Sequence, residues 1–129
     1  MTIHVQWDDP EQTILCWEFP EDWQIDDFAE AEAISVEMVM QSARPFHLVI
    51  HIRGKDTKLP PAALSQFIRA MTNASPLQQS MVIVGAGLFT EKLMNTIRAM
   101  KIPNSDKHKL LFAEDMPQAR RRIKQQTSV

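Results

Sequence analysis

Residues 46–61 read Phe46-His47-Leu48-Val49-Ile50-His51-Ile52-Arg53-Gly54-Lys55-Asp56-Thr57-Lys58-Leu59-Pro60-Pro61. The apolar run Leu48-Val49-Ile50 sits inside a segment rich in β-branched and aromatic side chains, which reads as a central, buried strand. Arg53 to Lys58 is polar and holds a glycine, the mark of a loop. Pro60 and Pro61 then stand where a helix can begin, because the first helical N–H groups have no partner within the helix. Leu64, Phe67, Ile68 and Met71 follow at helical spacing and carry that helix to about Asn73, before Pro76 breaks the chain. A buried strand, a loop and an amphipathic helix together make the repeating unit of a parallel α/β sheet.

The unit recurs on the C-terminal side. Ser80 to Val84 is a strand ending at Gly85-Ala86-Gly87, and Phe89, Leu93, Ile97 and Met100 mark the helix after it. Lys109 to Ala113 is a short fifth strand, and Asp115 caps a last helix containing Met116, Ala119 and Ile123. On the N-terminal side, Ile3 to Trp7 alternates apolar and polar residues, Asp8-Asp9-Pro10-Glu11 reads as a turn, and Thr13 to Phe19 is a second strand. Two strands so close form an antiparallel hairpin, with Trp7 and Trp17 facing each other across it. Asp22 or Asp26 is placed to cap a helix over about 25 to 42, with Phe28, Ala31, Ser35, Met38 and Val39 as its inward stripe. Arg44-Pro45 stops it.

The element order is therefore β-β-α-β-α-β-α-β-α. It predicts an α/β fold with a mixed, mostly parallel sheet flanked by helices, and the first hairpin as its antiparallel edge. Residues 1–129 read as one domain without repeats or linkers, and residues 125–129 as a frayed tail.

Composition narrows the function classes. Apolar residues make up 44% and charged residues 23% of the 129, as in ordinary globular proteins. No apolar run approaches the ~20 residues of a membrane span, and the first ten residues lack the basic and apolar regions of a signal peptide. Cys16 is the one cysteine, so neither an internal disulfide nor a cysteine-based zinc site is expected, and the cytoplasm is the expected compartment. Residues 1–40 hold eleven acidic residues and no Lys or Arg, whereas residues 41–129 hold all fourteen basic residues and five acids. The net charge of -2 argues against nucleic acid as a partner. The polarity along the chain fits acidic and basic segments meeting within one fold, or a dipolar surface that steers a partner or a second copy.

With its elements in this order, the chain from about residue 3 to residue 124 resembles the STAS domains and their anti-sigma factor antagonist relatives (the SpoIIAA-like fold). The likeness rests on the strand pair, on Trp23 at the start of the first helix, and on Leu48-Val49-Ile50-His51-Ile52 followed by a loop and a helix. Ala113-Glu114-Asp115-Met116-Pro117-Gln118-Ala119, the approach to the last helix, also matches. The resemblance implies a small non-enzymatic regulatory module of the bacterial cytoplasm that binds a partner protein or senses a ligand; the same fold class includes lipid-carrying relatives. Partner-switching members have a strand ending in an acidic residue and an Asp-Ser-Ser/Thr-Gly opening of the second helix, whose serine is phosphorylated. Here His51 falls at the acidic position, and Leu59-Pro60-Pro61-Ala62 falls where the serine would stand, with no hydroxyl. Thr57 and Ser65 are displaced from it, so the phospho-switch is not carried over.

Each candidate residue also has a purely structural reading. Gly85-Ala86-Gly87 lies between a strand and a helix, the context of a phosphate-cradling loop that would use Gly85, Gly87 and Thr90. Thr90 replaces the third glycine of that pattern, which favours a plain turn with Thr90 as a helix cap. His47 and His51 lie four apart on a strand, about 13 Å from each other, too far to share a metal. They read as polar flanks of a buried strand or as a surface-facing pair, and His51 borders the loop before the second helix, where a ligand could be recognised. Cys16 has no basic neighbour in sequence to lower its pKa and reads as structural. The acids of the first helix (Asp26, Asp27, Glu30 and Glu37) read as a solvated face. The Met residues, Met38, Met40, Met71, Met94 and Met100 among them, read as core filling. Arg120, Arg121, Arg122 and Lys124 suit the end of the last helix.

The expectation is thus a non-enzymatic regulatory or protein-interaction module, without cofactor or metal. Lys55, Asp56, Thr57 and Lys58 are its polar partner contacts, and Leu59 and Pro60 their apolar rim. A carrier of a small apolar ligand or lipid, lined by Met and Phe, is the alternative, and a nucleotide-binding enzyme built on 85–90 the third. A homodimer is compatible with all three.

Overall fold

In the computed structural model, which describes residues 2–52, 66, 69, 75–85, 91, 95 and 109–127, the turn at Asp9 sets the first strand pair. The Asp9 carboxylate accepts the N–H groups of Thr13 and Ile14, each at 2.9 Å, and also the Thr13 hydroxyl. This side-chain turn folds β1 (His4–Trp7) antiparallel onto β2 (Ile14–Phe19). Trp7 lies opposite Leu15 and Trp17 opposite Val5, so the two tryptophans share a face on a diagonal and do not face each other.

Helix α1 runs from Ile25 to Ser42. Its cap is Gln24, not Asp22 or Asp26. The acid that serves the helix start is Asp27, three residues on, whose carboxylate reaches back to the Gln24 N–H at 2.8 Å. Asp26 and Asp27 also place negative charge at the positive end of the helix dipole. At the other end Ala43 adopts a left-handed φ of 52°, and its N–H donates to the Val39 carbonyl at 2.9 Å before Pro45 forbids another turn.

Strands β3 (Phe46–Ile52), β4 (Gln78–Val84) and β5 (Lys109–Ala113) continue the sheet in parallel, giving the order β1-β2-β3-β4-β5. β4 starts two residues before the expected Ser80, because the polar pair Gln78-Gln79 hides its beginning. Gln66 and Arg69 are helical, as are Glu91 and Asn95. Helix α2 spans Met116–Thr127, opened by the Asp115 carboxylate accepting the Gln118 N–H at 2.9 Å. Gln125, Gln126 and Thr127 lie within it. The chain is thus an α/β protein with a mixed five-stranded sheet.

Strand alternation builds two cores. Leu15, Trp17, Phe19, Leu48, Ile50, Met81 and Ile83 point to one side and pack with Phe28, Ala31 and Val39 of α1. Cys16, Val49, Val82, Val84 and Ala113 point to the other and pack with Ala119 and Ile123 of α2. β3 lies in the middle with both faces covered, which explains its unbroken apolar run. Burying a side chain such as Phe28 or Ile123 stabilises by about 1.5–3 kcal/mol. Among the described residues, no helix is long and apolar enough to cross a membrane.

Candidate functional site

Two depressions lined by described residues bear on function. The first lies between α1 and the sheet. Its floor is Trp17 of β2, Phe46, Leu48 and Ile50 of β3, and Met81 of β4. Its wall is one flank of α1: Phe28, Ser35 and Val39 inside, and Glu32, Val36 and Met40 further out. Ser75 and Gln78 complete the lining. The cavity volume is about 190 Å³. Val36 is 54% exposed and Met40 is 74% exposed, so the cavity reaches the surface beside them. Met40, read from sequence as core filling, is therefore at a mouth. Glu32 is held by Arg69 at 3.4 Å, and the same Arg69 guanidinium donates to the Gln66 side-chain carbonyl at 2.7 Å.

Trp17 forms part of the cavity floor. It is 4% exposed, and its indole N–H is buried without an acceptor among the described residues. Neighbouring rings hold it in place: Phe28 edge-on at 5.3 Å and Phe19 stacked at 6.2 Å. A buried donor left unpaired costs about 1–3 kcal/mol.

The second depression is a broad cleft near the first turn and the middle of α2, bordered by Asp8, Asp9, Thr13, His47, Arg120 and Lys124. Arg120 grips Asp8 with two bonds of 2.8 Å. That fork holds the Asp8 carboxyl below the usual carboxylate range, chiefly by its hydrogen bonds, against an opposing effect of burial, with the Arg120 charge a smaller aid. His47 is buried, and its Nδ1 lies 2.7 Å from the Ser80 hydroxyl on the adjoining strand. Burial lowers the His47 pKa, with the Asp9 charge pulling the other way, so the ring is neutral at pH 7. Ser80 is 0% exposed, and a hydroxyl so enclosed offers nothing to a substrate. The pair ties β3 to β4.

The sequence-derived candidates scatter. Lys55, Asp56, Thr57, Lys58, Leu59 and Pro60 lie outside the described residues, as do Ser65, Gly87 and Thr90. His51 is half-buried on β3 between Glu18 and Val84. Gly85 leaves β4 with φ 154°, a backbone that suits glycine, and its N–H donates to the Ala113 carbonyl at 3.1 Å. That donor is engaged in the sheet and is not offered to a phosphate. Burial, followed by the charges of Asp8 and Glu18, pushes the Cys16 thiol up to about 12, which makes it inert. Among the described residues no three of His, Cys, Asp or Glu gather as metal ligands. Ser80, the Asp8–Arg120 fork and the α1 cavity were not singled out from sequence. Comparison of the chain with protein-family models, with curated proteins and with solved structures finds no match.

Proposed function

We propose that the chain is a non-enzymatic regulatory module of the STAS type that responds to a small apolar ligand held between α1 and the sheet. The hairpin start, the alternation that follows it and the sequential strand order support the STAS-type reading. The single observation that carries the ligand is the cavity of about 190 Å³ with its aromatic and aliphatic walls. Dry apolar cavities of about 150 Å³ take up benzene, so this one has room for a substituted ring. The buried Cys16 thiol, and the His47 imidazole and Ser80 hydroxyl bonded to each other, favour binding over catalysis. In this reading Lys55 to Pro60 keep their expected role as partner contacts, and ligand occupancy is what the partner senses.

The test uses toluene and a variant that blocks the mouth, Val36→Trp, chosen because Val36 is already half in solvent and a larger ring there does not overpack the core. At one hundred times its Kd, a ligand that binds only the folded state adds about 2.7 kcal/mol to stability. Toluene is expected to raise the wild-type melting temperature in a saturable way and to leave Val36→Trp unchanged. No shift for the wild type, or an equal shift for both, overturns the reading.

A further inference from the structure

We infer that α1 and α2 are the two halves of a head-to-tail contact between copies of this chain, in which the outer face of α1 on one copy seats the cationic outer face of α2 on the next. The inference stands apart from the ligand-binding reading.

The first observation is apolar. Among the described residues, the large hydrophobic side chains that remain exposed are Ile34, Val36 and Met40, and all three belong to α1. Val36 and Met40 border the cavity mouth, but Met40 and Ile34 also flank a second feature. At 100° per residue, Asp26, Glu30 and Glu37 fall about 160–200° from the buried Phe28, and so form the ridge that faces away from the sheet. All three acids are exposed. Ile34 and Met40 fall about 60° to either side of Glu37. The outer face of α1 is thus an acidic ridge between two apolar shoulders, and no Lys or Arg lies on the helix. Exposed apolar side chains grouped on one helix face mark an interaction surface.

Charge says what covers it. A match for this face carries cations on long apolar stems and no acids. Helix α2 has that pattern: Arg121, Arg122 and Lys124 are exposed, and no Asp or Glu lies within the helix. Ala119 and Ile123 turn inward, which puts Arg121 about 160–200° from them, on the outer side, with Arg122 and Lys124 to either side of it. Arginine and lysine stems can lie over apolar surface such as Ile34 and Met40 while their charged heads reach carboxylates. The neighbouring Arg120 is held by Asp8 of its own chain. Within one molecule the two faces cannot meet, because α1 packs on one side of the sheet and α2 on the other. A second copy brings them together. The contact uses different surfaces on the two copies, so it does not close at a dimer; a third copy adds to the second as the second adds to the first.

Sedimentation equilibrium tests this on the full chain. At ~0.01 M salt, where charges act over ~30 Å, the weight-average mass of the wild type is expected to rise with concentration past that of a dimer, and at ~1 M salt to return to the monomer. Two variants reverse one face each: Glu30→Arg with Glu37→Arg on α1, and Arg121→Glu with Arg122→Glu on α2. All four positions are exposed, so both variants are expected to keep the fold. Each variant alone sets like charges against each other and is expected to associate at least about tenfold more weakly than the wild type. An equimolar mixture of the two pairs opposite charges at every contact and is expected to recover the wild-type association, which unfolded variants could not do. A wild type that stays monomeric at low salt, a mass that stops at the dimer, a reversed variant that associates as the wild type does, or a mixture that stays monomeric would each overturn the inference.

Discussion

Replacing Ser80 by alanine tests whether the buried polar pair on the α2 side is structural. Ser80 is fully enclosed, and its hydroxyl is the 2.7 Å partner of His47 Nδ1. Ser80→Ala leaves an imidazole nitrogen in a low-dielectric interior with nothing to bond. The expected cost is the desolvation of that group, about 1–3 kcal/mol, larger than the ~1 kcal/mol net worth of an average hydrogen bond. For a chain of this length that is a fall in melting temperature of about 3–6 °C per kcal/mol lost. Replacing both partners, His47→Phe with Ser80→Ala, removes the unanswered group, so the double variant is expected to be more stable than Ser80→Ala alone.

The pH dependence follows from the same burial. The folded His47 pKa is depressed below the unfolded value of 6.5. Below pH 6.5 the unfolded chain binds a proton that the folded chain refuses, so stability falls as pH falls, by at most about 1.36 kcal/mol per unit. His47→Gln is expected to flatten this slope between pH 6.5 and the lowered folded pKa. Urea titrations at pH 7.5, 6.5 and 5.5, with unchanged m-values, measure both effects. A Ser80→Ala variant within 0.5 kcal/mol of wild type at pH 7.5, or a His47→Gln variant with the wild-type slope, refutes the structural assignment.

Two further perturbations address the frame around the site. Ala43→Gly relieves the left-handed φ of 52° at the end of α1, less the entropy glycine adds to the unfolded chain, and is expected to stabilise by up to about 1 kcal/mol; a loss of stability in a thermal melt would refute this. Arg120→Gln removes the fork on Asp8, and because the guanidinium is half in solvent the expected loss at pH 7 is only about 0.5–1 kcal/mol. The Asp8 pKa is lowered in the folded state, so its stabilisation is present above the unfolded carboxylate pKa and disappears as pH falls through the folded value. Wild type and Arg120→Gln should therefore converge in strong acid, and a constant gap would contradict the assignment.

The sheet was legible because each strand carries its own evidence. β3 shows an unbroken apolar run because α1 and α2 cover both its faces, and β1 alternates because it is an edge. The span of α1 and most of its inward stripe followed from spacing alone. Caps were harder. Asp22 and Asp26 have the right chemistry, but the acid that reaches the Gln24 N–H is the one at the third helical position, Asp27, and one residue of phase decides it. Gln78 is buried at the head of β4, yet glutamine is a residue type that usually lies outside, so the strand appeared two residues short. Ser80 has no mark in sequence as the partner of a histidine 33 positions away; only the parallel register of β3 and β4 brings them together.

The cavity was hidden for a different reason. Its residues come from β2, α1, β3 and β4, and most of them taken singly are ordinary core residues. The helix held a clue in its phase. At 100° per residue, Ala31, Ser35 and Val39 fall within about 60° of Phe28, a normal buried arc, whereas Val36 and Met40 fall about 80° and 120° to one side. A helix that only covered a sheet would be polar there. Those two apolar residues extend the stripe along one flank, the flank that walls the cavity, and they stay in solvent. A close-packed interior does not keep a void beside an open apolar rim without cost, since every unfilled contact forfeits dispersion energy and the unanswered indole adds its own penalty. Filling the cavity with a ring restores the forfeited contacts. A ring such as toluene should therefore stabilise the folded chain through its contacts with these walls, and Val36→Trp, which blocks the mouth, should remove that gain.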